Sequence, residues 1–503
     1  MDIDISGRRL AHNTLLNVIG LVAPLLVAMV TVPYVVRHLG PDRFGLLSLA
    51  WMVVGYFALF DLGIGPATTK FVAELLGKGE IERIPEVVWT ALVTQTSFGV
   101  LSGILLALAS PLLVYHLLKI PIEIHPQAHL IFLMLATVLP IDFATGSLRG
   151  VLAASQRFDL LNALSVPLSA LNYLLPVAAI AAGYGLPAIV LLLILSRGAS
   201  LVVLASLCLR LYPSLGSEAR FDRRLVRSFL GFGGWVTLSG SVAPILIYFD
   251  RFLIGSLISI AAVGFYTPPY MISDKLAILP AGMATTLFPA FSVSAAQGDL
   301  DWIRNTLIGS LKFLLLTVGP LVLIVALFAH SILQFWLGAR FAAEGAPVLQ
   351  ILSLGVFFNS LAFVPGNLLY GVGRPDLNAK IHLFELPIHL GVAWLLVTRF
   401  GLPGAALAWT IRTCLDFVLL ITATCRVTST PLRLLICKDL RRSVGALVAL
   451  AACLAGLWAS TQVLLIEVVF TLLLGSGFLL VAWRFTLNME ERWQIRLWLK
   501  IAR

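Results

Sequence analysis

The feature that most constrains this chain is a succession of about fourteen apolar runs, each close to or longer than the roughly 20 residues a helix needs to cross a hydrocarbon layer. They cover approximately 13–37, 44–76, 83–117, 126–155, 158–182, 186–210, 224–256, 261–294, 303–335, 342–372, 377–399, 403–426, 441–462 and 464–485. Short polar turns separate them. Charged residues make up only 12% of the 503 positions, about half of what a soluble domain carries. The fold class that follows is an all-α polytopic membrane protein. The first run, Leu15 to Val36, follows Arg8 and Arg9 but is too long for the apolar part of a signal peptide. It ends at no small-residue cleavage site, so a retained span is expected.

Lys and Arg set the orientation. With the N-terminus inside, the inner segments carry Arg8, Arg9, Lys70, Arg149, Arg157, Arg220, Arg223, Arg224, Arg227, Arg374, Arg441, Arg442 and many more. The outer side carries only Arg37, Arg43, Lys119, Arg340 and Arg399. That asymmetry predicts both termini in the cytoplasm. The net charge of +10 is therefore a topology signal and gives no reason to expect nucleic acid. The tail predicts an amphipathic helix on the anionic inner leaflet. Arg492, Arg496 and Lys500 fall on one face, and Trp493, Leu497 and Ile501 on the next.

The chain repeats itself. Tyr184-Gly-Leu-Pro187 answers Phe400-Gly-Leu-Pro403, and Arg157-Phe-Asp-Leu160 answers Arg374-Pro-Asp-Leu377. Val22-Ala-Pro24 answers Val242-Ala-Pro244, and Phe44-Gly-Leu answers Val263-Gly-Phe. All four pairs share an offset of about 215–220 residues. Six spans per repeat is an even number, so both copies keep one orientation. The expected organisation is two parallel six-helix lobes, residues 1–210 and 211–426, around a central cavity. Residues 427–503 add two spans and the basic tail.

Charges inside the spans mark function by default, because each costs roughly 2.5–3.5 kcal/mol to insert. Asp61 stands beyond an apolar run and before Gly63, Gly65 and Pro66. The others are Asp142, Arg197, Asp250, Arg251, Asp274, Lys275, Lys312, Glu385, Arg412 and Asp416. Local pairing is the competing explanation for two sets. Asp250 and Arg251 are adjacent near a span end, and Arg412 and Asp416 are one turn apart. Lys312 lies near enough to the inner surface to snorkel. His125 and His129 share a helix face, but two ligands make a poor metal site. They read as interfacial side chains. The five cysteines follow no metal spacing and indicate no disulfide framework. There is no P-loop, dinucleotide fingerprint, HExxH or nucleophile elbow. No enzyme, cofactor or metal is expected.

The stretches LGPDRFGLLSL and YFALFDLGIGPATTKFVAE within 37–80, LRGVLAASQRFDLLN at 148–162, and FDRFLIG with VGFYTPPY at 249–270 carry a family resemblance. They resemble the polysaccharide (Wzx-type) lipid-linked oligosaccharide flippases, within the wider group that includes MATE exporters and MurJ. The resemblance spans the whole chain and does not specify one glycan. It implies a two-lobed transporter of fourteen helices in the bacterial plasma membrane. Its substrate would be an undecaprenyl-pyrophosphate-linked oligosaccharide, moved outward by alternating access for surface polysaccharide biosynthesis. A polysaccharide polymerase or ligase is an implied partner.

A diphosphate needs cations, and Arg offers a bidentate fork. The expected substrate-binding residues are Arg197 and Arg412, in matching places of the two repeats, with Lys275 and Arg251. Asp61 and Asp142 are the expected coupling carboxylates, and Asp250, Asp274 and Asp416 line the cavity. Gln95, Asn172, Asn359, Asn367, Trp51, Tyr56 and Tyr270 are available to a glycan. Two alternatives stand beside this reading. One is a MATE-like ion-coupled exporter of small molecules, whose cavity should be net acidic. The other is a membrane glycosyltransferase or polymerase, which needs a larger outer loop than the stretch from His116 to Pro126.

Overall fold

In a computed structural model, the structure describes residues 7–59, 64–155, 157–431, 433, 438–460 and 464–486. Asp61 and the basic tail beyond Thr486 lie outside the described residues. Among those described there is no strand, and eight helices are long and apolar enough to cross a membrane. The chain divides into two units, Met1–Gly264 and Phe265–Arg503.

The first unit contains α1 (Gly7–Leu59), α2 (Ile64–Lys78), α3 (Ile84–Leu112), α4 (His125–Ala154), α5 (Phe158–Ala181), α6 (Leu186–Leu211), the single turn α7 (Ser214–Ser217) and α8 (Arg223–Leu257). It also contains the start of α9 (Ile260–Lys275). α1 is two helices joined at Gly40, whose φ of 73° and ψ of 168° no helix contains. This is the expected turn at His38–Arg43. After it, α1 runs against α9 at the closest approach in this unit. The position a Cβ would take on Gly45 is filled by the Ile260 carbonyl, and that on Gly264 by the Pro41 carbonyl. These glycines belong to the repeat pair Phe44-Gly-Leu and Val263-Gly-Phe.

α3 and α4 pack by the membrane rule of small residues inside and large ones out. Val100, Leu101, Ile104, Leu105 and Leu108 of α3 are exposed, while Gly99 and Gly103 are buried against α4. A Cβ on Gly99 would lie 2.7 Å from Pro140 Cα, and one on Gly103 would lie 2.5 Å from the Ala136 carbonyl oxygen. Pro140 has no N–H to give that carbonyl four residues back, so the close approach falls where the α4 ladder lacks a hydrogen bond.

The second unit continues from α9 into α10 (Ile278–Gln297), α11 (Leu300–Leu327), α12 (Ala329–Leu337), α13 (Ala339–Gly371), α14 (Pro375–Val427), α15 (Lys438–Ser460) and α16 (Leu464–Val481). Span eight, expected as one run, is broken at Leu276–Ala277. Pro280 is the cause: it lacks the N–H that would close the turn onto Leu276 and its ring crowds that carbonyl. The expected span nine likewise divides into α11 and α12, which meet at Phe328.

α14 has 53 residues, which as one helix would run about 80 Å, well over twice a hydrocarbon core. Gly401, with φ of 62° and ψ of −134°, divides it. The Leu396 carbonyl then fills the place of a Cβ on Gly404. Residues eight apart touch backbone to backbone, so α14 is a helical hairpin, as the separate runs 377–399 and 403–426 require.

The turns before α5 and α14 repeat one geometry. Arg157 donates from Nε and Nη2 to Asp159 at 3.0 and 2.8 Å. Arg374 does the same to Asp376 at 3.0 and 3.3 Å. The pairs come from the Arg-x-Asp-Leu repeat, so that sequence match has a structural counterpart.

Candidate functional site

One face of α4 carries the site in the first unit. Asp142, Thr145, Gly146, Arg149, Gly150 and Ala153 recur at helical spacing and therefore share a stripe. Small residues on that stripe leave room. Together with Gly65 and Thr69 of α2, Leu161 and Leu168 of α5, and Arg197 and Ser200 of α6, they line a cavity of about 670 Å³. α2 closes on α4 at Gly150, where a Cβ would lie 2.7 Å from the Gly65 carbonyl oxygen. Thr69 donates to the Gly65 and Gly150 carbonyls, both at 3.2 Å.

Arg197 Nη1 donates to both Asp142 oxygens, at 2.8 and 2.9 Å. The Asp142 side chain is 8% exposed and that of Arg197 21%. Arg197 has no partner within a turn of its own helix; its partner comes from α4. Only Nη1 is engaged, so three of the five guanidinium N–H groups make no hydrogen bond among the described residues. Arg197 also lines a small pocket of about 20 Å³ with Trp51 and Asn172, room for one water. Arg149, counted from sequence among the inner-surface charges, is exposed on the wall of the large cavity. It makes no ion pair or hydrogen bond among the described residues.

In the second unit a polar cluster is enclosed within the α14 hairpin. Glu385, His389, Arg412 and Asp416 are all buried. Arg412 Nη1 lies 3.6 Å from Glu385 Oε2, and His382 Nε2 lies 3.7 Å from Asp416 Oδ1. The sequence suggested that Arg412 pairs with Asp416 one turn on. The hairpin instead brings Glu385 of the facing arm to Arg412 and His382 of that arm to Asp416. Both Glu385 oxygens are buried without a hydrogen bond among the described residues, and the buried His389 ring sits against the Ala408 backbone.

The remaining expected site residues are held in pairs. Asp250 and Arg251 are both buried, 3.9 Å apart, and the Asp250 carboxylate accepts the Arg251 backbone N–H at 2.7 Å. Arg251 also lies over the Tyr248 ring. Lys275 is not mid-helix but ends α9 at the Pro280 break, where it donates to Asp274 at 2.9 Å. Lys312 does not reach the surface. It is 2% exposed, and its Nζ lies 3.9 Å from Asp439 Oδ2 of α15.

Among the polar candidates, Ser147 donates to buried Gln95. Asn367 bonds back to its own helix at Phe363. Tyr270 lies edge-on to Trp409, and Asn359 is half-buried. The Tyr56 side chain lies outside what is described. His129 meets Ser110 and His125 meets the Ile120 carbonyl. Arg149 is the cation that positional counting of charges missed. The signal was its place seven residues after Asp142, on the same small-residue stripe.

A "Putative O-antigen transporter" of Shigella flexneri is 28% identical over 408 residues, covering 81% of this chain and 96% of its own. The fold matches that of a multidrug resistance MATE family transporter of the MOP superfamily in its inward-facing conformation. The TM-score is 0.72 at 17% identity, over 81% of this chain and 94% of that one. It also matches the lipid II flippase MurJ in an inward closed conformation, with TM-score 0.65 at 12% identity over 88% and 97%. A MatE family model matches residues 241–395. The model of the family described as polysaccharide biosynthesis protein matches residues 10–294, more than half of the 503, and the chain belongs to that family.

Proposed function

We propose that this multi-pass membrane protein moves an undecaprenyl-pyrophosphate-linked oligosaccharide from the inner to the outer leaflet of a bacterial plasma membrane. The observation that carries the reading is the cavity on α4 and α6, whose charged lining among the described residues, Arg149, Arg197 and Asp142, sums to one positive charge. A cationic cavity suits a diphosphate and opposes the cationic cargo expected of an acidic exporter site. The O-antigen transporter name of the Shigella flexneri relative supports the same substrate class. The protein acts as a translocator without covalent chemistry and hands its cargo to a polymerase or ligase outside. The two repeats, 1–210 and 211–426, serve as its two lobes. Moving an anion out of a negative interior is downhill by roughly 2.3 kcal/mol per charge per 100 mV. Asp142 is the described member of the pair Asp61 and Asp142 to which we assign coupling.

The deciding experiment is glycan export in a flippase-deficient strain, normalised to folded protein. Restored export is expected. Folded, membrane-inserted protein that restores none, yet lowers accumulation of a cationic dye, favours the small-molecule exporter instead.

Topology is checked separately. With both termini cytoplasmic, a cysteine introduced at Gly185, in the turn before α6, reacts with an impermeant maleimide in intact cells. One at Ser217 reacts only after permeabilisation. The reverse pattern would invert the orientation.

A further inference from the structure

We propose that Arg149 is the residue that first takes the diphosphate of the lipid-linked substrate, at a subsite on the α4 stripe of the first unit. The inference rests on the flippase reading above and names the residue that does the binding.

Five cations stand out in the sequence by depth, and the structure gives each a carboxylate; Lys312 has Asp439 at 3.9 Å. Arg197 has Asp142 at 2.8 Å, Lys275 has Asp274 at 2.9 Å, Arg412 has Glu385 at 3.6 Å and Arg251 has Asp250 at 3.9 Å. An incoming anion must displace that carboxylate before it gains a contact. Arg149 has no carboxylate partner among the described residues. It is exposed into the cavity with its planar fork of five N–H donors unspent.

The cavity's hydroxyls sharpen the assignment. Thr145 spends its O–H on the Ile141 carbonyl at 2.7 Å, and Thr69 spends its own on the Gly65 and Gly150 carbonyls. They accept but do not donate, so they offer a phosphate nothing. Ser200, one turn from Arg197, makes no hydrogen bond among the described residues and lines the same space. Among the described residues lining the cavity, the side chains with N–H or O–H donors left over are therefore Arg149, Arg197 and Ser200. Gly146, which lines the cavity one turn before Gly150, adds no side chain of its own there, while Gly150 is covered by Gly65 and Thr69 of α2. Asp142 and Arg149 are seven residues apart, about 10 Å along the helix. A diphosphate docked on Arg149 thus stands one step short of Arg197, which it reaches by competing with Asp142.

The test uses the full chain in nanodiscs of phosphatidylethanolamine and phosphatidylglycerol, with farnesyl pyrophosphate as probe and inorganic pyrophosphate as the second arm. Binding of the lipid form well above the free anion assigns the subsite to a lipid headgroup; equal binding assigns it to a free diphosphate and overturns the lipid assignment. Arg149→Ala should weaken farnesyl pyrophosphate binding by about 10- to 150-fold, and Arg149→Lys by less, since lysine keeps the charge without the fork. Arg149→Glu should abolish binding. Arg210→Ala, at the exposed end of α6 and outside the cavity, should bind as the parent does and controls for bulk charge. The melting temperature of Arg149→Ala should be unchanged, because an exposed, unpaired side chain leaves nothing stranded. Export by each variant is measured in parallel. If the parent binds the probe and exports glycan while Arg149→Ala does both equally well, the subsite is wrong and the flippase reading stands. If the parent neither binds nor exports, both fall together.

Discussion

Arg412→Ala should leave little folded protein in the membrane, and Glu385→Ala should do the same. Arg412 and Glu385 face each other inside the α14 hairpin with side-chain exposures of 8% and 0%. Removing either partner strands the other charge where no water reaches it, a loss of about 3–5 kcal/mol. A membrane domain with stability on the order of 5–15 kcal/mol loses much of its margin. The paired replacement Glu385→Leu with Arg412→Met removes both charges of the pair, leaves Asp416 to His382 and should recover much of the melting temperature of the detergent-solubilised protein. The measurement is fluorescence-detected thermal unfolding, with membrane yield alongside. An Arg412→Ala protein that melts like the parent yet exports nothing would return Arg412 to the substrate path and refute the structural role.

That pair separates what the sequence could convey from what it could not. The spans were legible because a membrane helix must be about 20 residues long and apolar, and that requirement leaves a mark in one dimension. The turns at Gly40 and Gly401 were legible for the same reason, since a long apolar stretch has to fold back. One of the four repeat matches has a structural counterpart in the Arg157–Asp159 and Arg374–Asp376 forks. The breaks in α9–α10 and α11–α12 were less so. Pro280 sits inside an apolar run like many membrane prolines, and nothing local says that this one ends a helix.

The site was readable in its ingredients and not in its pairings. Ten charges at membrane depth could be named from the chain alone, with Asp61 as an eleventh. Partners, however, are chosen by tertiary packing. Arg197 finds Asp142 across 55 positions, and Lys312 finds Asp439 across a still longer separation. The one-turn rule that offered Asp416 to Arg412 describes isolated helices. It lost to a hairpin that brings Glu385 closer. Arg149 was passed over for the opposite reason: its position near the inner end of α4 made it look like an ordinary inner-surface charge, and only the cavity shows which way it faces.

Asp142→Asn should bind farnesyl pyrophosphate more tightly than the parent and export glycan more slowly. The carboxylate holds Arg197 through both oxygens, and it also repels whatever anion enters. At about 6 Å and an effective dielectric near 20, that repulsion is roughly 3 kcal/mol, or on the order of 100-fold in affinity. Asparagine keeps the size of the side chain and one acceptor for Arg197 while removing the charge. The cavity's named charges then sum to two positive, matching the two negative charges of a diphosphate diester. A ligand held that much more firmly leaves more slowly, so turnover falls as affinity rises. With coupling assigned to Asp61 and Asp142, export by the variant should also respond less to an imposed pH gradient, because one of the two carboxylates is gone. Arg197→Ala should move binding in the opposite direction. The two variants compared in the same nanodiscs, with export normalised to folded protein, decide the matter. Weaker binding by Asp142→Asn would mean that the carboxylate is needed to aim Arg197 at the substrate, and that it positions the fork instead of competing for it.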